Sequence, residues 1–290
     1  MAAMGSLNWR VALSSPRVIV GGALVLAVAL CALLAPWIAA HDPEDQNLIA
    51  SLLPPFWAHG ADPTYPLGTD SLGRCVLSRL IYGSRVAIYV AVTASFGAML
   101  VGGVLAHLAG YFGGRIDWLI GRAVEIWMSF PPVVLSLILM VGFGVGVNNV
   151  VLAIILVDWT RFCRVLRSEV MVVMHRDYIA AARLVGFSHM QIMVKELLPA
   201  TAPLLVTLVS LEMGIAVVVE AILSFVGMSV EANVPAWGVM IADSRNFMYQ
   251  AVWNLVLPIL AIFFTVLGFN LLGDGLRRTL DPRLAARAEA

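Results

Sequence analysis

Charge is scarce in this chain. Only 12% of the 290 residues are charged, where an ordinary soluble domain carries about 25%. Lysine is rarest: Lys195 stands alone among 18 basic residues, the rest being arginine. With 18 acidic residues the formal net charge is zero, so the basic excess that nucleic-acid binding needs is missing. Cysteine is sparse too. Cys31, Cys75 and Cys163 are scattered and odd in number, and fit neither a disulfide framework nor a clustered metal site. No glycine-rich Walker loop with its lysine occurs, nor HExxH, CxxC or GxSxG. These absences argue against an ATPase by the Walker route, a zinc protease, a dithiol redox protein and an elbow-type hydrolase. The run GFGVG at 142–146 is apolar and ends a span, which suits no phosphate. His107 and His175 read as interfacial or loop residues rather than metal ligands. No catalytic residue, metal or cofactor is expected, and the chain does not read as an enzyme.

What is abundant is apolar surface. Hydrophobic residues make up 61% of the chain and the mean hydropathy is +0.92. An all-α polytopic membrane protein follows. Residues 18–40 form 23 positions without a charge, enough for a hydrocarbon core that takes about 20. This run is too long for the apolar region of a cleavable signal. A long polar segment rich in Pro and Asp covers 41–85. Its end, 70–85, has an apolar stripe at Val76, Leu77, Leu80 and Ile81, which predicts an amphipathic helix lying at the interface. Further spans are expected at 86–112, 118–144, 145–160, 201–228 and 251–273, six in all. Pro131-Pro132 should kink the third. The helix of the fourth should continue through Arg161, Arg164 and Arg167, whose side chains would snorkel to headgroups or meet a partner's acids.

Six spans put both termini on one side. The N-terminal tail, the 113–122 turn, the 161–195 loop and the C-terminal tail hold 14 Arg and Lys, against four on the other side: Arg74, Arg79, Arg85 and Arg245. The positive-inside rule then predicts cytosolic termini, a cytosolic 161–200 loop, and outward-facing segments at 41–85 and 229–250.

Within that loop, 177–199 is a polar island between apolar regions. Ala180, Ala181 and Ala182 are strong helix formers with little bulk. Gly186 suits the φ > 0 conformation that ends a helix. Ser188 and Gln191 have the spacing of a capping box, and Pro199 is expected to close the unit. A helix–Gly–helix with a small-residue face is shaped to dock into a partner. An ordinary loop lying on the membrane has the same composition.

The same residues resemble the signature loop of binding-protein-dependent ABC importer permeases: Glu-Ala-Ala, three residues, Gly, nine residues, Ile-x-Leu-Pro. Ala180, Ala181, Ala182, Gly186, Leu198 and Pro199 fall at those places, with Ala180 for the Glu and Glu196 for the Ile. Tyr178 stands where the peptide branch carries a Tyr. The run from Leu67 resembles the LGTDxxGRDxxSRxxYGxR pattern of the C-type subunit of dipeptide, oligopeptide and nickel importers, with Cys75 for the second Asp. EAILSFVG from Glu220, PAWGVM from Pro235 and FNLLGDGLRRTLDPR from Phe269 resemble its later motifs. The resemblance runs from about Leu67 to Arg283. It implies a type I ABC permease: one extra N-terminal helix before a five-helix core, residues 1–85 and 86–290, with a cytosolic coupling loop at 161–200. It also implies partners: a second permease subunit, two cytosolic ATP-binding subunits that perform the hydrolysis, a soluble substrate-binding protein, and the lipid of a bacterial inner membrane. The cargo would be peptides or a related solute such as nickel chelates. Segments 41–85 and 235–240 would meet the binding protein.

Asp158, Glu212 and Glu220 lie within apolar runs, where a charge costs about 2.5–3.5 kcal/mol on insertion scales. Glu212 and Glu220 are candidates for the translocation path, Glu212 meeting a substrate amine. A polar contact with the partner permease or a neighbouring helix is the plainer account of Glu212, and the motif match of Glu220 argues for a structural role near the outer gate. An ion-coupled secondary transporter is the rival class, using these acids as ion sites.

Overall fold

The computed structural model describes residues 15–231 and 233–280. The tails, with Arg10 and the Asp281–Arg283 end of the last motif, lie outside the described residues. Among those described the chain is helical, with one isolated antiparallel bridge between Thr69 and Cys75. In order come α1 (Pro16–Ile38), α2 (Val76–Phe112), α3 (Gly114–Met128), α4 (Pro132–Phe143), α5 (Val147–Met174), α6 (Asp177–Leu184), α7 (His189–Ile192), α8 (Leu198–Phe225), α9 (Trp237–Ser244) and α10 (Val252–Leu280).

The helix α2 organises the rest. Ala87, Ala91, Ala94, Ala98, Gly102, Ala106 and Ala109 recur every three or four residues and are all buried. Such a stripe lets backbones approach closely, which is how helices pack in lipid. A Cβ on Gly102 would lie 2.2 Å from the carbonyl oxygen of Trp159 in α5. Along the same helix α2 meets three apolar clusters. One joins Val90 and Ala94 to Ile154 of α5 and Leu223 of α8. A second gathers Ala98 and Ala106 with Phe162, Leu166 and Val209. The third sets Ala87 and Ala91 against Val217, Trp237 and Phe269.

Among the described residues four helices are long and apolar enough to cross a membrane: α1, α2, the run from α7 through α8, and α10. The α3–α4 pair makes a fifth if counted as one span. Helix α5, the expected fourth span, has the length, 28 residues, but carries Asp158, Arg161, Arg164 and Arg167 through its middle.

Several expectations need correction. No separate interfacial helix covers 70–85. Residues 70–74 form a turn in which Asp70 Oδ1 accepts from the N–H groups of Leu72 and Arg74, each at 2.9 Å. Helix α2 then runs unbroken from Val76 through the expected 85/86 boundary. The expected kink in the third span is a break: α3 and α4 meet at 89°. Proline lacks the N–H that would continue α3, and a residue before proline disfavours helical backbone; two prolines in succession apply both effects twice. Pro199 does not close the loop. It sits in the first turn of α8, where a missing N–H is tolerated. A π-helical turn, Met193–Leu197, carries α7 into α8, with the Leu198 N–H donating to Met193. Finally, 235–240 is not an outer docking surface: all six residues are buried. Trp237 donates its indole N–H to the Leu80 carbonyl at 2.9 Å, because α9 is wedged between α8 and the start of α2.

Candidate functional site

The polar island at 177–199 forms a compact hairpin on the end of α5 and the start of α8. Arg176 precedes α6, whose only buried residue is Ile179. Ile179 packs with Val170, Val173, Ile192 and Leu197, so the inner side of the hairpin is one apolar cluster. Gly186 has φ +90°. Its N–H donates to Arg183 and the next, of Phe187, to Ala182, at 3.0 and 3.1 Å. That pair of bonds is the Schellman closure of a helix with glycine just past its end. Ser188 then caps α7: the Gln191 N–H donates to Ser188 Oγ at 3.3 Å and the Ser188 N–H to Gln191 Oε1 at 2.8 Å. Tyr111 of α2 holds the hairpin from the side, its hydroxyl 2.7 Å from His189 Nδ1, with Arg183 over its ring.

The outer side of the hairpin is uncovered. Ala180 and Ala181 are exposed, Ala182 half-buried, and Tyr178, Leu198 and Pro199 exposed. Partial burial and the Glu196 carboxylate push the Tyr178 phenol above its ordinary value. At the tip, Leu184 is 89% and Val185 77% exposed, an adjacent aliphatic pair open to a partner. Sequence reasoning passed over these two. The signal was there: two adjacent aliphatic residues directly before the helix-ending glycine of a polar island.

The two candidate path acids lie apart. Glu212 of α8 is 3% exposed and meets Asp158 of α5, and Arg161 stands 3.7 Å from Glu212 and 3.6 Å from Asp158. Glu212 Oε1 has no hydrogen-bond partner among the described residues. Glu220 sits two turns further along, accepting from Ser224 Oγ at 2.5 Å and Ser229 Oγ at 3.1 Å. The Ser229 carbonyl accepts from Gly146 at 2.7 Å, so Glu220 ties the end of α8 to the α4–α5 turn. Arg161 and Arg167, expected to reach headgroups or a partner, both meet acids of this chain. Arg167 forms a two-pronged pair with Asp117 of α3.

Residues 98–286 match the family model described as the binding-protein-dependent transport system inner membrane component. That span holds the hairpin and Asp158, Glu212 and Glu220. The chain belongs to this family. Residues 4–55 match the N-terminal TM domain of oligopeptide transport permease C, which covers α1. The chain is 37% identical over 265 residues to the di/tripeptide transport system permease protein DppC of Pseudomonas aeruginosa, covering 91% of this chain and 88% of that one. It is 38% identical over 266 residues to the dipeptide transport system permease protein DppC of Escherichia coli K12, covering 92% and 89%. It is 36% identical over 261 residues to the nickel transport system permease protein NikC of the same strain, covering 90% and 92%. In fold it resembles a chain of the MetNI methionine ABC transporter in an inward-facing conformation, with a TM-score of 0.56, 17% identity, and coverage of 71% of this chain and 97% of that one. This family member is a multi-pass permease subunit of an ABC importer. Membership decides against the ion-coupled alternative.

Proposed function

We propose that this subunit pairs with a second, different permease to enclose the path of a peptide importer. Two cytosolic ATPases drive it and a soluble binding protein delivers the cargo. Relatives whose names carry dipeptides, di/tripeptides and nickel support small peptides as the cargo class, with nickel chelates next. Both termini and the 161–200 loop face the cytosol, as the distribution of arginine favours. The chain divides into a tail, first span and outer segment at 1–85, and a permease core at 86–290. The subunit hydrolyses nothing itself. Lipid covers apolar residues such as Leu26 and Leu33 of α1, both exposed in the isolated chain.

The observation that carries this reading is the uncovered Leu184–Val185 tip beside Ala180 and Ala181. The hairpin is braced from within by Ile179 and closed at Gly186, so it presents a firm apolar knob on a nearly bare helix face. An ATPase groove can grip that knob closely. Because α7 runs through the π turn into α8, a push on the hairpin passes directly to a span holding Glu212 and Glu220. ATP binding would then rock α8 and open the path outward. The deciding experiment is reconstitution of the four-subunit complex with the binding protein. Ala181→Arg should abolish both uptake and binding-protein-stimulated ATP hydrolysis while the two permeases still co-purify. Uptake at the normal rate would sink the docking assignment.

A further inference from the structure

Two arginines at the outer end of α2 compete for one pair of acids. Arg74, in the turn before the helix, donates from Nε to Asp70 Oδ2 at 2.6 Å and from Nη2 to Asp243 Oδ2 at 3.0 Å. Arg79, in the first turns of α2, holds the same two nitrogens, Nε and Nη2, 3.9 Å from the same two oxygens. Arg79 is 1% exposed, and none of its guanidinium nitrogens has a hydrogen-bond partner among the described residues. Beside it lies a void of about 10 Å³ lined in part by Asp70, Asp243 and Asn254, room for a single water at most. A buried guanidinium left without hydrogen bonds costs stability. Yet the acids that would satisfy it stand about 1 Å beyond hydrogen-bonding distance.

The two acids sit on different bodies. Asp70 is locked to the turn before α2 by its own backbone bonds. Asp243 is on α9, which is wedged onto α8: a Cβ on Gly238 would lie 2.3 Å from the Ala221 carbonyl oxygen. A shift of α9 along α2 therefore moves Asp243 relative to both arginines and carries α8 with it.

We propose that Arg79 is a gating residue of the import cycle. The permease has a second outer arrangement in which Asp243 passes from Arg74 to Arg79. This exchange hands the docking of the binding protein from the outer segment through α9 to α8, and so to the hairpin at the other end of α8. Packed interfaces of this kind switch between discrete arrangements rather than deforming gradually. The inference rests on the importer reading and on the outward placement of residues 39–75.

The test uses the reconstituted four-subunit complex and its binding protein, purified with whatever ligand accompanies it. Arg79→Met removes an unsatisfied buried charge, so its melting temperature should not fall. Its hydrolysis without binding protein should be unchanged, while stimulation by binding protein drops about tenfold, within the usual span of coupling between linked sites. Arg74→Gln frees Asp243 for Arg79 and should raise hydrolysis in the absence of binding protein; adding Arg79→Met should cancel that rise. If Arg79→Met does not assemble, Arg79→Lys keeps the charge without the two-pronged geometry and should lose stimulation. An Arg79 variant stimulated like the wild type overturns the proposal. So does a double variant that keeps the raised rate, or loss of stimulation that merely follows a lowered melting temperature. A wild-type complex that ignores the binding protein overturns the importer reading as well. A responsive wild type with an equally responsive Arg79→Met overturns this inference alone.

Discussion

Asp117 and Arg167 pair through both guanidinium prongs across 50 residues of chain. Ten residues along α3, Trp127 donates its indole N–H to the Leu156 carbonyl. The two contacts keep nearly the same residue sum and so set α3 antiparallel to residues 156–167 of α5. Both side chains of the ion pair are partly exposed, which weakens it to about 1 kcal/mol. Asp117→Asn and Arg167→Gln should each lower the melting temperature in detergent by a few degrees. The swapped pair Asp117→Arg with Arg167→Asp should recover most of the loss. A swap that melts no higher than its worse single variant would show that the pair does not set this register.

Gly186 tests the hairpin through its backbone alone. No atom lies within 4 Å of where its Cβ would be, so a side chain there meets only the strain of φ +90°. A left-handed conformation costs an ordinary L-residue roughly 1–2 kcal/mol. Gly186→Val should sharply reduce uptake at normal membrane insertion, whereas Gly186→Asn, which tolerates this conformation, should keep most of it. Equal uptake by the two variants would mean that the closure at Gly186 is not needed for coupling.

Leu184 and Val185 separate docking from folding. Both are mostly exposed among the described residues, so Leu184→Asp should leave expression and melting unchanged. Losing a well-packed interface anchor costs about 2 kcal/mol, roughly thirtyfold in affinity. Affinity for the ATPase pair, measured by titrating the ATPases onto the permease in nanodiscs, should fall by that factor. Unaltered affinity would place the ATPase contact elsewhere.

Gly238 predicts a packing failure. An added Cβ would meet backbone, not a flexible side chain, so Gly238→Ala must displace α9 from α8. Overpacking of this kind costs about 1–3 kcal/mol. The variant should melt several degrees lower; a melting curve identical to the wild type would contradict the contact.

Topology has its own test. Ser51 is exposed in the segment read as outward-facing. With Cys31, Cys75 and Cys163 replaced, Ser51→Cys should react with an impermeant maleimide in intact spheroplasts. Labelling only after the inner membrane is permeabilised would invert the orientation.

The amino-acid sequence by itself determined whatever depends on near neighbours. Runs without charge made membrane helices, Gly186 ended α6, and Ser188 with Gln191 capped α7, because each signal acts within a turn or two of helix. Tertiary structure decided what distant segments do to one another. Asp243 lies 169 residues from Arg74, and no periodicity couples them; only the wedging of α9 against the start of α2 brings both arginines to the same oxygens. The burial of 235–240 and the tie from Glu220 to Ser229 belong with it. A hydrophobic pattern tells which residues leave water, and which surface receives them depends on packing between helices far apart in the chain.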